Sequence, residues 1–327
     1  MNTSRTAIAA ALLVALAIPA LGQVKYGGYM AVEYIDGEAD SSYTVGKVDN
    51  LLAGFLANGL LKEKYGFAIE VRARGISTFD LVQAWAGFLP SKGFTARAGL
   101  FLVPFGTWNR ASRPHESLLV RTPLNLEFLY PPYWRDLGLL IEGETGVLSY
   151  AGFIGNGLAE ADTLGSGQQF TDNNSDKGKG GRLGLSFGRA IRAGVSYYIG
   201  KYDDTNMYDL TLEGADLSWV TSRWEVHGEY TKAFVENPQP YERGTSEGYS
   251  IWMVMNYKSF QPIGSFQTVK YQDSYRGGID LDQSRWTAGF RYVLSSTFFL
   301  KFEYDWNSEE GTALNNDQFQ VQLGLSF

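Results

Sequence analysis

The chain has no cysteine and only two histidines, and only ten of its 327 residues are proline. Without cysteine there is no disulfide framework, no thiolate metal site and no sulfur nucleophile. His115 and His227 alone are too few for a histidine-built metal centre. Long apolar runs are scarce too. The only one, Ala7 to Ile18, is shorter than the roughly 20 residues that a membrane-spanning helix needs. Basic residues are outnumbered, 28 Lys and Arg against 35 Asp and Glu, and the net charge of −7 argues against a nucleic-acid partner.

The apolar run follows Arg5 and precedes Pro19, with Ala20 and Gly22 flanking Leu21. That is the layout of a secretory signal peptide cleaved before Gln23, so residues 1–22 are expected to be a leader and 23–327 the folded protein. No cysteine follows the cleavage site, which excludes lipoprotein processing.

Aromatic residues are plentiful: 20 Tyr, 20 Phe and 8 Trp accompany 38 Gly, although mean hydropathy is only −0.18. The segment 317–327 explains how both can hold. Phe319, Val321, Leu323, Leu325 and Phe327 alternate with Gln318, Gln320, Gln322, Gly324 and Ser326. Period two marks a strand, and an apolar row ending on a large aromatic suits a strand whose apolar side meets lipid while its polar side meets water inside a barrel. The terminal Phe327 resembles the end signal that barrel assembly machinery reads in outer-membrane proteins.

Sixteen such segments can be counted, at about 25–35, 47–58, 64–74, 80–89, 94–103, 136–144, 147–156, 180–189, 191–201, 206–220, 223–235, 246–258, 263–275, 284–294, 297–306 and 317–327. Connections of two to four residues alternate with longer ones, as expected when short periplasmic turns alternate with external loops. The sequence therefore predicts an all-β fold, a transmembrane antiparallel β-barrel of about sixteen strands, wide enough for an aqueous channel. Within strands, charge keeps to one side. Lys64, Glu70, Arg72 and Arg74 oppose Tyr65, Phe67, Ile69 and Val71, and Lys301, Glu303 and Asp305 oppose Phe298, Leu300, Phe302, Tyr304 and Trp306. Arg or Lys at the lipid midplane costs about 2–4 kcal/mol, so the charged sides are expected to line the lumen. The outward set includes Tyr65, Phe290, Phe302 and Val321. A bulge is expected near Gly214, because Glu213 and Asp216 cannot share a face. Tyr26, Tyr29, Trp219, Trp224, Tyr230, Trp252, Tyr257, Trp286 and Trp306 are expected to form interfacial girdles.

One connection differs from the rest. Residues 104–135 hold five of the ten prolines together with apolar anchors such as Trp108, Leu119, Leu126, Phe128 and Trp134. A connection this long and this stiff is functional or disordered, and the anchors argue against disorder. Gly99-Leu-Phe-Leu-Val-Pro-Phe-Gly-Thr-Trp-Asn109, Arg121-Thr-Pro and Asp136-Leu-Gly-Leu-Leu-Ile-Glu-Gly143 resemble the porin O/P (phosphate-selective porin-like) type of outer-membrane porin. That resemblance implies that 104–135, the third external loop, folds into the barrel and narrows it, and that the protein is a homotrimer in outer-membrane lipid.

The loop carries Arg110, Arg113, Arg121 and Arg135 against Glu116 and Glu127, and strands leading into it add Arg72, Arg74 and Arg97. An arginine excess in a narrow, low-dielectric passage favours anions. Alternatively, these arginines pair with Glu116, Glu127 and Asp136 and pin the loop. Two functions remain open: passive diffusion of small hydrophilic, anion-biased solutes, or a largely closed barrel serving a structural or adhesive role or carrying less polar substrates. No enzyme, cofactor or metal site is expected. His227 among Glu225, Glu229 and Arg223 reads as ordinary lumen polarity, and Asp172-Asn-Asn-Ser-Asp176-Lys-Gly178 places its glycine one position late for a calcium loop.

Overall fold

In a computed structural model, residues 23–75, 77–272, 282–311 and 314–327 are described. The expected leader, 1–22, and most of the loop after residue 275 lie outside them. The strands are β1 (Gln23–Gly37), β2 (Lys47–Leu61), β3 (Tyr65–Arg74), β4 (Thr78–Ser91), β5 (Phe94–Leu102), β6 (Arg135–Thr145), β7 (Leu148–Gly155) and β8 (Gly178–Phe187). They continue as β9 (Ile191–Lys201), β10 (Asp209–Val220), β11 (Trp224–Val235), β12 (Gly244–Met255), β13 (Phe260–Gln272), β14 (Gln283–Val293), β15 (Phe298–Glu309) and β16 (Gln318–Ser326). Each pairs antiparallel with its sequence neighbours, and β1 pairs with β16 to close a sixteen-stranded barrel. No sheet edge is left open. Short turns gather at one end, and the longer connections at the other.

The wall is apolar outside and ionic inside, the reverse of a soluble sheet. Trp286, Trp306 and Tyr65 are 59, 47 and 53% exposed, whereas Arg285, Glu303, Asp305 and Glu70 are at most 1% exposed. Phe290 stacks on Phe302 across β14 and β15, and Phe302 meets the edge of Phe319, so the outward row continues from strand to strand.

At the seam, Phe327 and Gly28 exchange two backbone hydrogen bonds of 3.0 Å. A Cβ built on Gly28 would lie 2.5 Å from the Phe327 ring, so only glycine lets that ring lie on β1. Gly28→Leu is expected to push the ring off the seam and cost about 1–3 kcal/mol. The measurement is the temperature at which the compact, heat-modifiable band of the folded barrel disappears on a gel; an unchanged temperature would mean that the ring adds nothing to closure.

Three expectations fail here. No bulge occurs at Gly214, because the β9–β10–β11 register runs unbroken through it. Glu213 simply faces outward and Asp216 inward, and the inward side of Gly214 receives the Phe105 ring. Register shifts occur instead at Ala31/Glu33, Glu70/Val71 and Phe88/Ser91. Tyr29 and Trp252, assigned to the girdle, are 4% exposed and face inward. Part of the interior is itself apolar: Tyr198, Leu210, Leu212, Val235, Val254 and Val269 pack with residues of the 103–134 connection. On those strands both faces are apolar, and alternation loses its contrast.

Candidate functional site: the loop across the barrel

The connection between β5 and β6 runs 103–134 and lies inside the barrel, held to the inner wall from β3 around to β15. Its path begins with a sharp turn. Gly106 has φ +61°, and a Cβ there would lie 2.7 Å from a Glu229 carboxylate oxygen. The Pro104-Phe105-Gly106 turn thus lets the next residues press onto β11. Glu229 Oε1 accepts from Thr107 N at 2.7 Å, Thr107 Oγ1 at 2.6 Å and Trp108 N at 2.7 Å. Gly106 N donates to Ser196 Oγ on β9 at 3.1 Å. Hydrogen bonds to a charged acceptor contribute about 1.5–3 kcal/mol each, which makes Glu229 the strongest single anchor at the loop's start.

Asn109 closes the neck. Its Nδ2 donates to Val103 O at 2.9 Å and to Trp134 O at 2.8 Å, tying the first and last residues of the connection together. Beneath the neck, Phe105, Tyr130 and Trp134 meet at centroid separations of 5.1–5.9 Å, and Trp134 is fully buried. Fully burying a large apolar side chain contributes about 1.5–3 kcal/mol.

The far stretch is pinned to the opposite wall. Val120 N and Arg121 N donate to Glu303 at 2.6 and 3.3 Å, and Lys301 Nζ donates to Leu119 O at 3.2 Å. A short helix, Leu124–Phe128, follows, and Leu124 N donates to Gln267 Oε1 on β13 at 3.0 Å.

The arginines occupy defined pairs. Arg110 and Arg97 share Glu142, at 2.8 and 2.6 Å. Arg113 makes two bonds to Glu70, 2.6 and 2.9 Å, and a third to Glu116 at 2.9 Å. Glu70 also accepts from Tyr29 and Gln83. Arg121 reaches Glu127 at 3.3 Å and Asp305 at 4.0 Å, and Arg285 reaches Glu127 at 3.4 Å. Arg72 and Arg74 both hold Asp80, and the Arg72 guanidinium lies 4.0 Å from the centroid of the Tyr133 ring. Arg135 is the first residue of β6 rather than part of the loop, donates to Leu81 O and lies over Phe170. Asp136 pairs with no arginine; it accepts from Asn156 N and Gly157 N. In all, seven guanidiniums share six carboxylates around the loop.

Burial raises the Glu127 pKa, but Arg121 and Arg285 outweigh it and hold the carboxyl below its ordinary range. Its contribution to docking is therefore present above the unfolded-state pKa and is lost only as pH falls through the lower folded value. Burial also lowers the Arg113 pKa, and Glu70 with Glu116 more than compensates, so the guanidinium ends above its ordinary value.

The anchors Glu229, Glu303, Lys301, Glu142 and Asn109 were not singled out from the sequence as loop partners. For the four on strands, Glu229, Glu303, Lys301 and Glu142, the only sequence signal is inward placement of a charged group. His227 stacks on Trp252 and bonds Ser218, with Glu225 at 3.5 Å from Nε2. The 172–178 segment is braced by its own side chains and by the 202–208 connection, for example Asn174 Nδ2 donating to Asp203 O and Asp176 N to Asn206 Oδ1. Among the described residues, no cluster of three or more His, Asp or Glu is placed to hold a metal ion.

Two cavities flank the loop. One of about 740 Å³ opens at the long-loop end between loop residues 112–122 and the walls of β1, β2 and β14–β16. The other, about 620 Å³, lies toward the short turns and is lined by Lys92, Arg110, Glu142 and Arg182 among others.

Solved structures share this frame. The anion-selective porin from Comamonas acidovorans superposes with a TM-score of 0.70 at 12% identity, over 93% of this chain and 99% of that one. The barrel has a porin fold. The trimer form of OmpT, an outer membrane protein of Vibrio cholerae, matches this porin fold with a TM-score of 0.69 at 12% identity, covering 94% of this chain and all of that one. Among curated proteins, an uncharacterised protein from Aquifex aeolicus is 23% identical over 221 residues, 62% of this chain. The match spans 51% of that relative, about half its length. No protein-family model matches the chain.

Proposed function

We propose that the chain is an outer-membrane porin, a water-filled channel through which small hydrophilic solutes diffuse passively with a weak preference for anions. The observation that carries this reading is the loop drawn across a barrel with an apolar outer face and a largely polar inner wall, with a cavity on either side of it. Narrowing without filling is what a diffusion channel needs. The porin fold supports the class, and the Pro104-Phe105-Gly106 turn on Glu229 supports a porin O/P-like constriction formed by residues 104–135. The leader at 1–22, the role of Phe327 in assembly and a homotrimer belong to the same reading, the last supported by a trimeric structural neighbour.

The anion preference is weak because carboxylates pair with the arginines around the loop, seven guanidiniums sharing six carboxylates in those ion pairs. In planar bilayers under a KCl gradient, the reversal potential is expected to have the anion-selective sign. Arg110 is the pair member best placed for a test, since its side chain is 36% exposed and Arg97 keeps Glu142 paired in its absence. Arg110→Ala is expected to move the reversal potential toward cations with the pore still open. Cation preference in the unmodified channel, or an Arg110→Ala channel with an unmoved potential, would overturn the anion assignment; absence of any conductance would overturn the channel itself.

A further inference from the structure

We propose that the 740 Å³ cavity at the long-loop end is a binding site for uncharged polyhydroxylated solutes, that is, sugars and sugar-like polyols. The proposal deepens the channel reading, on which it rests for how the solute arrives. The volume falls within the roughly 300–1,000 Å³ of small-molecule sites.

The chemistry lies in a row of amides. Strand β16 sets Gln318, Gln320 and Gln322 on the cavity wall, and Asn50, Asn307 and Asn316 stand near them. Several of these spend their amino groups on wall carboxylates: Gln320 on Asp305 at 3.1 Å, Gln322 and Asn50 on Glu33 at 2.6 and 2.8 Å, and Asn316 on Glu309 at 2.7 Å. Each of these carboxylates thereby holds an amide donor within the wall, while Glu309 Oε2 keeps no partner. Gln322, only 3% exposed, has no partner for Oε1, and Asn316 has none for Oδ1. The donors in the same cavity are the guanidiniums of Arg74, Arg121 and Arg285.

Such a wall discriminates by valence. An anion offers only acceptors and would meet amide carbonyls and the carboxylates of Glu33, Asp40, Asp49, Glu127 and Glu309. A cation would meet the guanidiniums of Arg74, Arg121 and Arg285 set among those carboxylates. A hydroxyl both donates and accepts, so a polyol can use both kinds of group at once without bringing a charge. Tyr133, whose ring is backed by the Arg72 guanidinium, also lines the cavity and offers a flat face for a sugar ring.

The test uses two readouts on the full-length protein. In equilibrium dialysis with radiolabelled sucrose, the folded protein in detergent is expected to retain sugar saturably and to release it to excess unlabelled maltose but not to glycerol or phosphate. In KCl-bathed bilayers, sucrose added on the long-loop side is expected to reduce the current saturably, beyond the effect of glycerol at equal viscosity. Gln318→Leu with Gln320→Leu should raise both half-saturation concentrations about tenfold. Retention that is unsaturable, or displaced by phosphate instead of maltose, overturns the site even if the channel conducts. Saturable retention without conductance supports the site while removing the channel reading, so the two fail separately. Should the double variant not fold, wild-type displacement by maltose against glycerol decides.

Discussion

Glu229→Ala should yield a channel of higher and noisier conductance, because it removes the one acceptor that holds Thr107 N, Thr107 Oγ1 and Trp108 N. Three bonds to a charged acceptor disappear and two backbone N–H groups lose their partner in a buried setting, a combined loss of about 3–6 kcal/mol. The barrel wall does not depend on them, since the β10–β11–β12 ladders are complete without the side chain. Single-channel recording reads the first effect, and retention of the heat-modifiable band reads the second. Conductance identical to wild type would mean that the aromatic packing of Phe105, Tyr130 and Trp134 holds the loop's start unaided.

Arg113→Ala should be the most damaging single change among the arginines, and adding Glu70→Ala should repair much of the damage. Glu70 is completely buried, and its carboxylate takes two bonds from Arg113 as well as one each from Tyr29 and Gln83. Removing one partner of a buried pair costs about 3–5 kcal/mol, whereas removing both is often nearly neutral. Unfolding midpoints of the wild type, both single variants and the double variant form a cycle, and a coupling energy above about 2 kcal/mol is expected. Additive single effects would show that Arg113 faces solute rather than holding the loop.

How far the sequence could be read depended on contrast between the two faces of a strand. On β3, β14, β15 and β16 the inward row carries most of the strand's ionic and amide residues, and the faces of those strands follow directly from that alternation. Where the interior packs against the loop, at Trp252 on β12 or Leu212 on β10, the inner face is as apolar as the outer one. Trp252 therefore reads as girdle in the sequence, and the outward charge of Glu213 makes the regular alternation around Gly214 look like a bulge. The loop itself was legible from its prolines and apolar anchors. Its fastenings were not, because they join residues distant in sequence: Thr107 with Glu229 and Val120 with Glu303 are separated by 122 and 183 positions. A single sequence shows that a carboxylate faces inward, but not which backbone amide will meet it. Pairing of the loop arginines with Glu116 and Glu127 is open to a reading of the sequence, but the wall carboxylates that complete the compensation, Glu70, Glu142 and Asp305, are hidden for the same reason.

The closing pair of the ring has a consequence for how the chain reaches this state. Every other strand pairing joins neighbours along the sequence, whereas β1 and β16 lie at opposite ends of the described chain and meet from Gly28/Phe327 to Gly37/Gln318. The entropy of bringing those ends together grows only with the logarithm of their separation, but it must be met before any seam bond rewards it. Zipping of hairpins is thus fast and reversible, and the last event sets the rate. Until it happens both terminal strands expose unpaired edges, so the interval before closure is when this chain is most prone to pair with another copy of itself.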